Sequence, residues 1–304
     1  MELRQAKKIF YIAKKSENVT GRTLETYEEV LPKFFEYLVQ EDNIFDVTEV
    51  DTSHIQGYLI TLQEKGLRGI TMHKHFRNLR TFFLFLHQED YITRNPIKNV
   101  KPPKPEQKEM RTFNAKEINK LLNGFDRNSF IGLRNACIMA MFFATGMRKS
   151  ELVKLTLADV NITNDLIRID GKGNKERFTP IGRVLRRLLI QYLRAREEFL
   201  EGDNSNQLFV TVRASRKMTG SCLSILFRKL KKELKIEGER VSCHTMRHTF
   251  AKNYLLNGGD VFSLQKILGH ADIATTRKYI NLNDGELKIQ HAKYNPLDNK
   301  DWLY

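Results

Sequence analysis

Four of the chain's seven prolines fall inside one short stretch, Asn95-Pro-Ile-Lys-Asn-Val-Lys-Pro-Pro-Lys-Pro-Glu-Gln-Lys-Glu109. Proline has no N–H to donate and biases its predecessor towards extended backbone, so neither helix nor sheet interior runs through this segment. It predicts an extended, fairly stiff linker over residues 101–112, with a domain on either side. The length of 304 residues suits two cores at about 100–200 residues each. Hydrophobic residues make up 41%, the share of a folded globular chain.

Residues 1–100 read as helical. Leu24, Tyr27, Leu31, Phe34, Phe35 and Leu38 recur at helical spacing, with Pro32 inside the pattern predicting a kink or a helix start. Ser53 is a candidate cap for a helix bearing Ile55, Tyr58, Leu59 and Leu62. Phe76, Leu79, Phe82, Phe83 and Leu86 form the stripe of another helix, which leaves His73, Lys74 and Arg77 for its other side. That side reads equally as a DNA-facing surface and as a solvated face.

Residues 113–304 are mixed. Asn114-Ala-Lys-Glu117 resembles a capping box opening a helix. The longest apolar run, Ala136–Ala144, is nine residues, a buried helix and far short of the ~20 that span a bilayer. Leu166–Asp170 and Lys175–Thr179 flank a Gly-rich turn as a β-hairpin, and Leu208–Val210 is a further short-strand candidate. Helical patterns follow at 219–235, 245–256, 261–268 and 272–281. The expected class is therefore mainly α with a small β-hairpin.

The charge is uneven. Residues 1–100 hold 14 basic and 14 acidic side chains, whereas 101–304 hold 37 and 22 and carry the whole net charge of +15. A basic domain beside a neutral one points to a polyanion, most often nucleic acid. Lys101 and Lys104 in the linker and Lys175 on the hairpin suit phosphate contact. The amino-terminal residues lack the apolar stretch of a secretory signal. The three cysteines form no CxxC pair, so a cytoplasmic setting without disulfides is expected.

Four segments gather the chemistry. Thr145-Gly-Met-Arg-Lys-Ser-Glu-Leu152 sets Arg148 at a Gly turn with Glu151 three residues on, an orienting pair or an ordinary surface one. Gly171-Lys-Gly-Asn-Lys-Glu-Arg177 holds Lys172 at the hairpin tip and lacks the Walker A pattern. In His244-Thr-Met-Arg-His-Thr-Phe250, His244 and Arg247 share a helix face. His248 completes an HxxxH spacing, but Thr245 stands where a zincin has Glu, so a zinc site is disfavoured and His248 reads as a packing residue. Leu268-Gly-His-Ala-Asp-Ile-Ala-Thr-Thr-Arg-Lys-Tyr279 ends one helix at Gly269, caps the next with Asp272 and places Tyr279 on it. His270 there is a candidate site residue or a helix cap, and Tyr279 a site or a core tyrosine. Two arginines, a lysine, two histidines and a tyrosine answer the needs of phosphoryl transfer without a metal. Guanidinium groups bind and stabilise a charged phosphate, a lysine supplies a leaving-group proton, and a phenol with a pKa near 10 needs help to attack.

The order Arg148, Lys172, His244, Arg247, His270, Tyr279, in these four motifs, resembles the tyrosine recombinase (phage integrase) family, and within it the short Xer-type members. The likeness spans nearly the whole chain; Met246, where a leucine is common, and Pro32 depart from the pattern. The resemblance implies a helical core-DNA-binding domain over 1–100 and a catalytic domain over 113–304, closing as a C-shaped clamp on DNA. It implies Tyr279 as nucleophile forming a 3′-phosphotyrosyl link, Arg148 and Arg247 as phosphate clamps, and Lys172 as acid. His244 would be acid/base, His270 a phosphate ligand, and Glu151 would hold Arg148 or His244. It further implies no cofactor, double-stranded DNA as partner, a tetramer on two sites, a Holliday junction, and a tail over 280–304 that docks on a neighbouring subunit. Related readings are a type IB topoisomerase-like enzyme and a catalytically idle DNA-binding protein. The size and the missing arm-binding domain favour a simple Xer-like role. Target sequence, and whether a second recombinase or accessory DNA-binding protein takes part, are not written in the chain.

Overall fold

The helical stripes of the first hundred residues close on one another in the computed structural model. It describes residues 1–104, 111–171, 176–202, 204–212, 217–237, 241–277, 279 and 284–295. The chain divides into two compact units, Met1–Lys108 and Glu109–Tyr304.

The first unit holds α1 (Leu3–Ser16), α2 (Gly21–Glu41), α3 (Thr52–Glu64) and α4 (Gly69–Gln88). Its core is aromatic: Phe10 meets Phe82 edge-on at 5.3 Å, and Phe34 meets Tyr58 at 5.1 Å and Phe83 at 6.0 Å. Such crossings gain about 0.5–1.5 kcal/mol each beyond the buried area. α2 runs through Pro32 rather than starting there, with Thr20 as its cap. The cap of α3 is Asp51, not Ser53: the Asp51 carboxylate accepts from the Ser53 and His54 N–H groups, and the Ser53 hydroxyl merely adds to it. A carboxylate is the stronger acceptor for the exposed N–H groups of a helix start.

The second unit is organised around α6 (Phe130–Thr145), buried along most of its length. α5 (Ala115–Asn123) packs against it and opens with the expected box, Asn114 Oδ1 accepting from Glu117 N at 2.9 Å and Glu117 Oε2 from Asn114 N at 3.0 Å. α7 (Lys149–Leu152) follows the turn at Gly146. β1 (Val160–Asn161), β2 (Leu166–Asp170) and β3 (Glu176–Pro180) form an antiparallel sheet in that order, with Arg168 opposite Phe178. Among the described residues Leu208–Val210 forms no named strand: its pairing is a single bridge from Val210 to Lys217, with another from Gln207 to Thr156 just before it. Its three side chains are buried as a plug under α8 (Arg183–Leu200), where the Tyr192 hydroxyl donates to Leu208 O at 2.8 Å. The remaining elements are α9 (Gly220–Glu233), α10 (Cys243–Leu256), α11 (Val261–Leu268), α12 (Ile273–Arg277) and α13 (Asp284–Tyr294). Among the described residues, no helix is long and apolar enough to cross a membrane.

Candidate active site

The site forms where two chain reversals meet a crossing helix. α6 must stop at Gly146, whose left-handed backbone (φ 59°, ψ 19°) releases the chain towards Arg148. α11 stops the same way at Gly269 (φ 63°), which turns His270 inward. α10 crosses between them and presents Arg247 to both.

Arg247 is buried. It donates to Gly146 O at 2.7 Å and Leu268 O at 2.8 Å, so both helix-end carbonyls have a partner. Its Nη2 also lies 2.7 Å from His270 Nε2. Arginine only donates, so His270 Nε2 accepts and its proton sits on Nδ1, which donates to Thr276 Oγ1 at 2.8 Å. Burial, then Arg247, Arg148 and Arg177, hold His270 down at about 4, so its ring is neutral at pH 7. Burial and Arg148 also lower Arg247, to about 10, and it stays charged.

Arg148 sits half-exposed on the same rim. Glu151 accepts from its backbone N–H at 2.6 Å and from its Nη1 at 2.8 Å. Arg177 from β3 grips the same carboxylate, Nη1 to Oε1 at 3.0 Å and Nη2 to Oε2 at 2.8 Å. Burial alone would raise the Glu151 pKa; Arg177, the Arg148 backbone N–H and the Arg148 guanidinium overcome it and hold the carboxyl at about 2. Glu151 thus pairs with Arg148, as one of the two expectations had it, and not with His244. Arg177 is not among the residues the motifs single out. In the sequence it is only one more Arg in a basic hairpin, because its partner lies 26 positions away.

His244, the second residue of α10, keeps part of its surface open to solvent. Partial burial and the charges of Arg247, Lys149 and Arg148 lower its pKa, which favours a neutral ring. Tyr279 lies beyond the end of α12, in a turn closed by its N–H on Thr276 O at 3.0 Å, not on the helix itself. α12 is too short to reach it. Its ring stacks on His270 (6.1 Å, 10°), abuts His248 (5.4 Å) and packs among Ala251, Leu264 and Leu268. The phenol stands beside the Arg247 guanidinium and supports its charge. His248 is half-buried with Nδ1 lacking a partner, and burial lowers it to about 4. Among the described residues no cluster of His, Cys, Asp or Glu is arranged to hold a metal ion. Lys172 and Lys175 lie outside the described residues.

The first unit carries a separate open groove of about 400 Å³ between α2 and α4, lined by Arg22, Thr26, His73, Lys74 and Arg77 among others. Arg77 is exposed there, whereas Lys74 pairs with Glu29 at 2.5 Å. Lys101 and Lys104 are exposed. The described part of the tail, α13, rests on its own unit. Gln290 Nε2 donates to Leu256 O at 2.8 Å, and Lys252 pairs with Glu286 at 2.6 Å, while Leu287 and Ile289 stay exposed. The terminal Trp302-Leu303-Tyr304 lies outside the described residues.

Comparison with known proteins agrees with this geometry. Residues 111–286 match the profile described as "Phage integrase family", and residues 9–102 match "Phage integrase SAM-like domain". The tyrosine recombinase XerC of Pelotomaculum thermopropionicum is 31% identical over 288 residues, 92% of this chain and 94% of that protein. The tyrosine recombinase XerD of Oceanobacillus iheyensis is 28% identical over 291 residues, 94% and 96% of the two chains. The crystal structure of the XerH site-specific recombinase bound to a palindromic difH substrate superposes with a TM-score of 0.76, covering 95% of this chain and 84% of that one at 24% identity, a likeness of fold. With both units matched in order along its length, the chain belongs to the phage integrase family of tyrosine recombinases.

Proposed function

We propose that this protein cuts and rejoins duplex DNA at specific sites through a phosphotyrosyl intermediate, with Tyr279 as nucleophile. The observation that carries the reading is the convergence of Tyr279, Arg247, His270 and Arg148 on one rim, with Arg247 fixed between two helix-end carbonyls. Both carbonyls keep the Arg247 guanidinium in place for a phosphate, the kind of fixed donor that strong electrostatic stabilisation uses, and only its contact with His270 has to give way.

The phenol oxygen forms a bond to phosphorus as the bond to the 5′ oxygen breaks. The phenol proton passes to His244, whose lowered pKa leaves it neutral and able to accept. The leaving oxygen takes a proton from Lys172, a role the family resemblance suggests. Attack by a second 5′ hydroxyl reverses the step, so the phosphodiester energy is kept and no cofactor enters. Arg148 and Arg247 bind the non-bridging oxygens. For His270 to donate to the phosphate it must present a proton at Nε2, which requires Arg247 to release that nitrogen. Thr276 can then donate to Nδ1, since a hydroxyl serves either way. The first unit supplies DNA contacts through the α2–α4 groove and the linker lysines. Strand exchange through a Holliday junction calls for a tetramer on two sites, and exposed Leu287 and Ile289 leave a face of α13 for a neighbour. A cytoplasmic setting suits the three free cysteines.

The test is a nicked suicide duplex carrying a site selected from random DNA. The unmodified protein gives a covalent adduct on a denaturing gel, in EDTA as well as without it. Tyr279→Phe gives none while melting at the same temperature. An undiminished adduct from Tyr279→Phe refutes the assignment.

A further inference from the structure

A carboxylate has about four lone-pair sites to offer. At Glu151 all four are taken: the Arg148 N–H at 2.6 Å, Arg148 Nη1 at 2.8 Å, and Arg177 Nη1 and Nη2 at 3.0 and 2.8 Å. Arg148 therefore gives Glu151 a single nitrogen of its guanidinium. Among the described residues, its Nε and Nη2 hold no hydrogen bond and remain for a phosphate. Arg177 is itself fastened. Its side chain is 10% exposed, Nε donates to Ile267 O at 2.8 Å, and its Cδ borders Gly269 so closely that a Cβ there would stand 3.1 Å away.

We propose that Arg177 is a positioning residue for Arg148: by filling half of the Glu151 carboxylate, it keeps the Arg148 guanidinium from closing on Glu151 and leaving the phosphate. Without Arg177, two acceptor sites open on a buried anion, and among the described residues Arg148, already bonded to that carboxylate, has donors to fill them. A planar guanidinium favours the two-point fork on a carboxylate over a one-point contact. Arg148 would then turn into that fork. The same bonds tie β3 to the α11 turn that carries His270, so hairpin, Arg148 and His270 share one anchor. This inference rests on the reading of the site given above.

The test is single-turnover adduct formation by Arg177→Gln and Arg177→Lys on two suicide duplexes. One has an ordinary scissile phosphodiester. The other has a methylphosphonate, whose uncharged linkage makes little demand on Arg148. Arg177→Gln slows cleavage of the phosphodiester by about 10–100-fold, a fraction of the loss expected from removing a transition-state donor outright. Arg177→Lys, which fills one acceptor site as a point charge, falls between that variant and the unmodified protein. On the methylphosphonate both variants come within about threefold of the unmodified protein, because the interaction with Arg148 is absent from that transition state. Loss of a merely structural tether would slow both substrates equally. Equal slowing in either folded variant, or no slowing on the phosphodiester, overturns the proposal. Should Arg177→Gln fail to fold, the Lys variant decides on the same two substrates. Absence of adduct from the unmodified protein would instead refute the reading of Tyr279 itself.

Discussion

Gly146→Ala strikes the one residue that both ends α6 and holds Arg247. Two costs are separable. The left-handed backbone (φ 59°, ψ 19°) disfavours any Cβ, by about 1–2 kcal/mol. The added carbon also collides with the Phe250 ring and stands 2.7 Å from Leu268 Cδ2. Leu268 is fully buried, so relief requires shifting a packed side chain, at about 1–3 kcal/mol. Together they come to about 2–5 kcal/mol, or a fall in melting temperature of about 4–20 °C for a unit of this size. Gly202→Ala is the control: its φ is 91° with nothing within 4 Å of the new carbon, so it isolates the backbone cost. Thermal melts followed by circular dichroism give both shifts. Because Gly146 O and Leu268 O both hold Arg247, adduct formation well below the melting range should also fall in Gly146→Ala and stay normal in Gly202→Ala. Equal melting shifts in the two variants, with normal cleavage in both, would refute the packing account.

Stability should drop with acid in two stages. His75, His248 and His270 are each held at about 4 against an ordinary 6.5, so the unfolded chain takes up protons that the folded one refuses. Their contribution is intact above pH 6.5 and is lost as pH falls towards 4. Glu151, at about 2 against 4.5, adds a second loss between 4.5 and 2. A urea midpoint that rises from pH 7.5 to pH 5 would contradict this. In the α2–α4 groove, replacing Arg22 and Arg77 by Ala should flatten the dependence of log K on log salt by about 0.9 for each phosphate that the protein no longer neutralises. Lys74→Ala should do less, since Glu29 already neutralises it; an unchanged slope in the double variant would return the groove to plain solvated surface.

Much of the architecture was legible because it is local. The apolar run into Ala144 could only be a buried helix, the Asn114–Glu117 box needs no distant partner, and the hairpin follows from alternation around glycines. The cap of α3 was not legible, because Asp51 and Ser53 compete for the same N–H groups within three residues, and only the geometry chooses the carboxylate. Leu208–Val210 has a strand's composition, but among the described residues its pairing is a single bridge from Val210 to Lys217.

The order of polar residues in the motifs singled out Arg148, Glu151, Arg247, His270 and Tyr279, and the fold brings these five together at helix ends set locally; Lys172 lies outside the described residues and Arg177 was not singled out. Which atom meets which was decided by tertiary packing. Arg177 reaches Glu151 across 26 positions, Arg247 reaches Gly146 across 101, and Tyr279 turns back on His270 only beyond the end of α12. Periodicity records which face of an element is buried. A buried carboxylate takes whatever donor the fold brings to it, and that pairing is settled only when distant segments compete for the same few lone pairs.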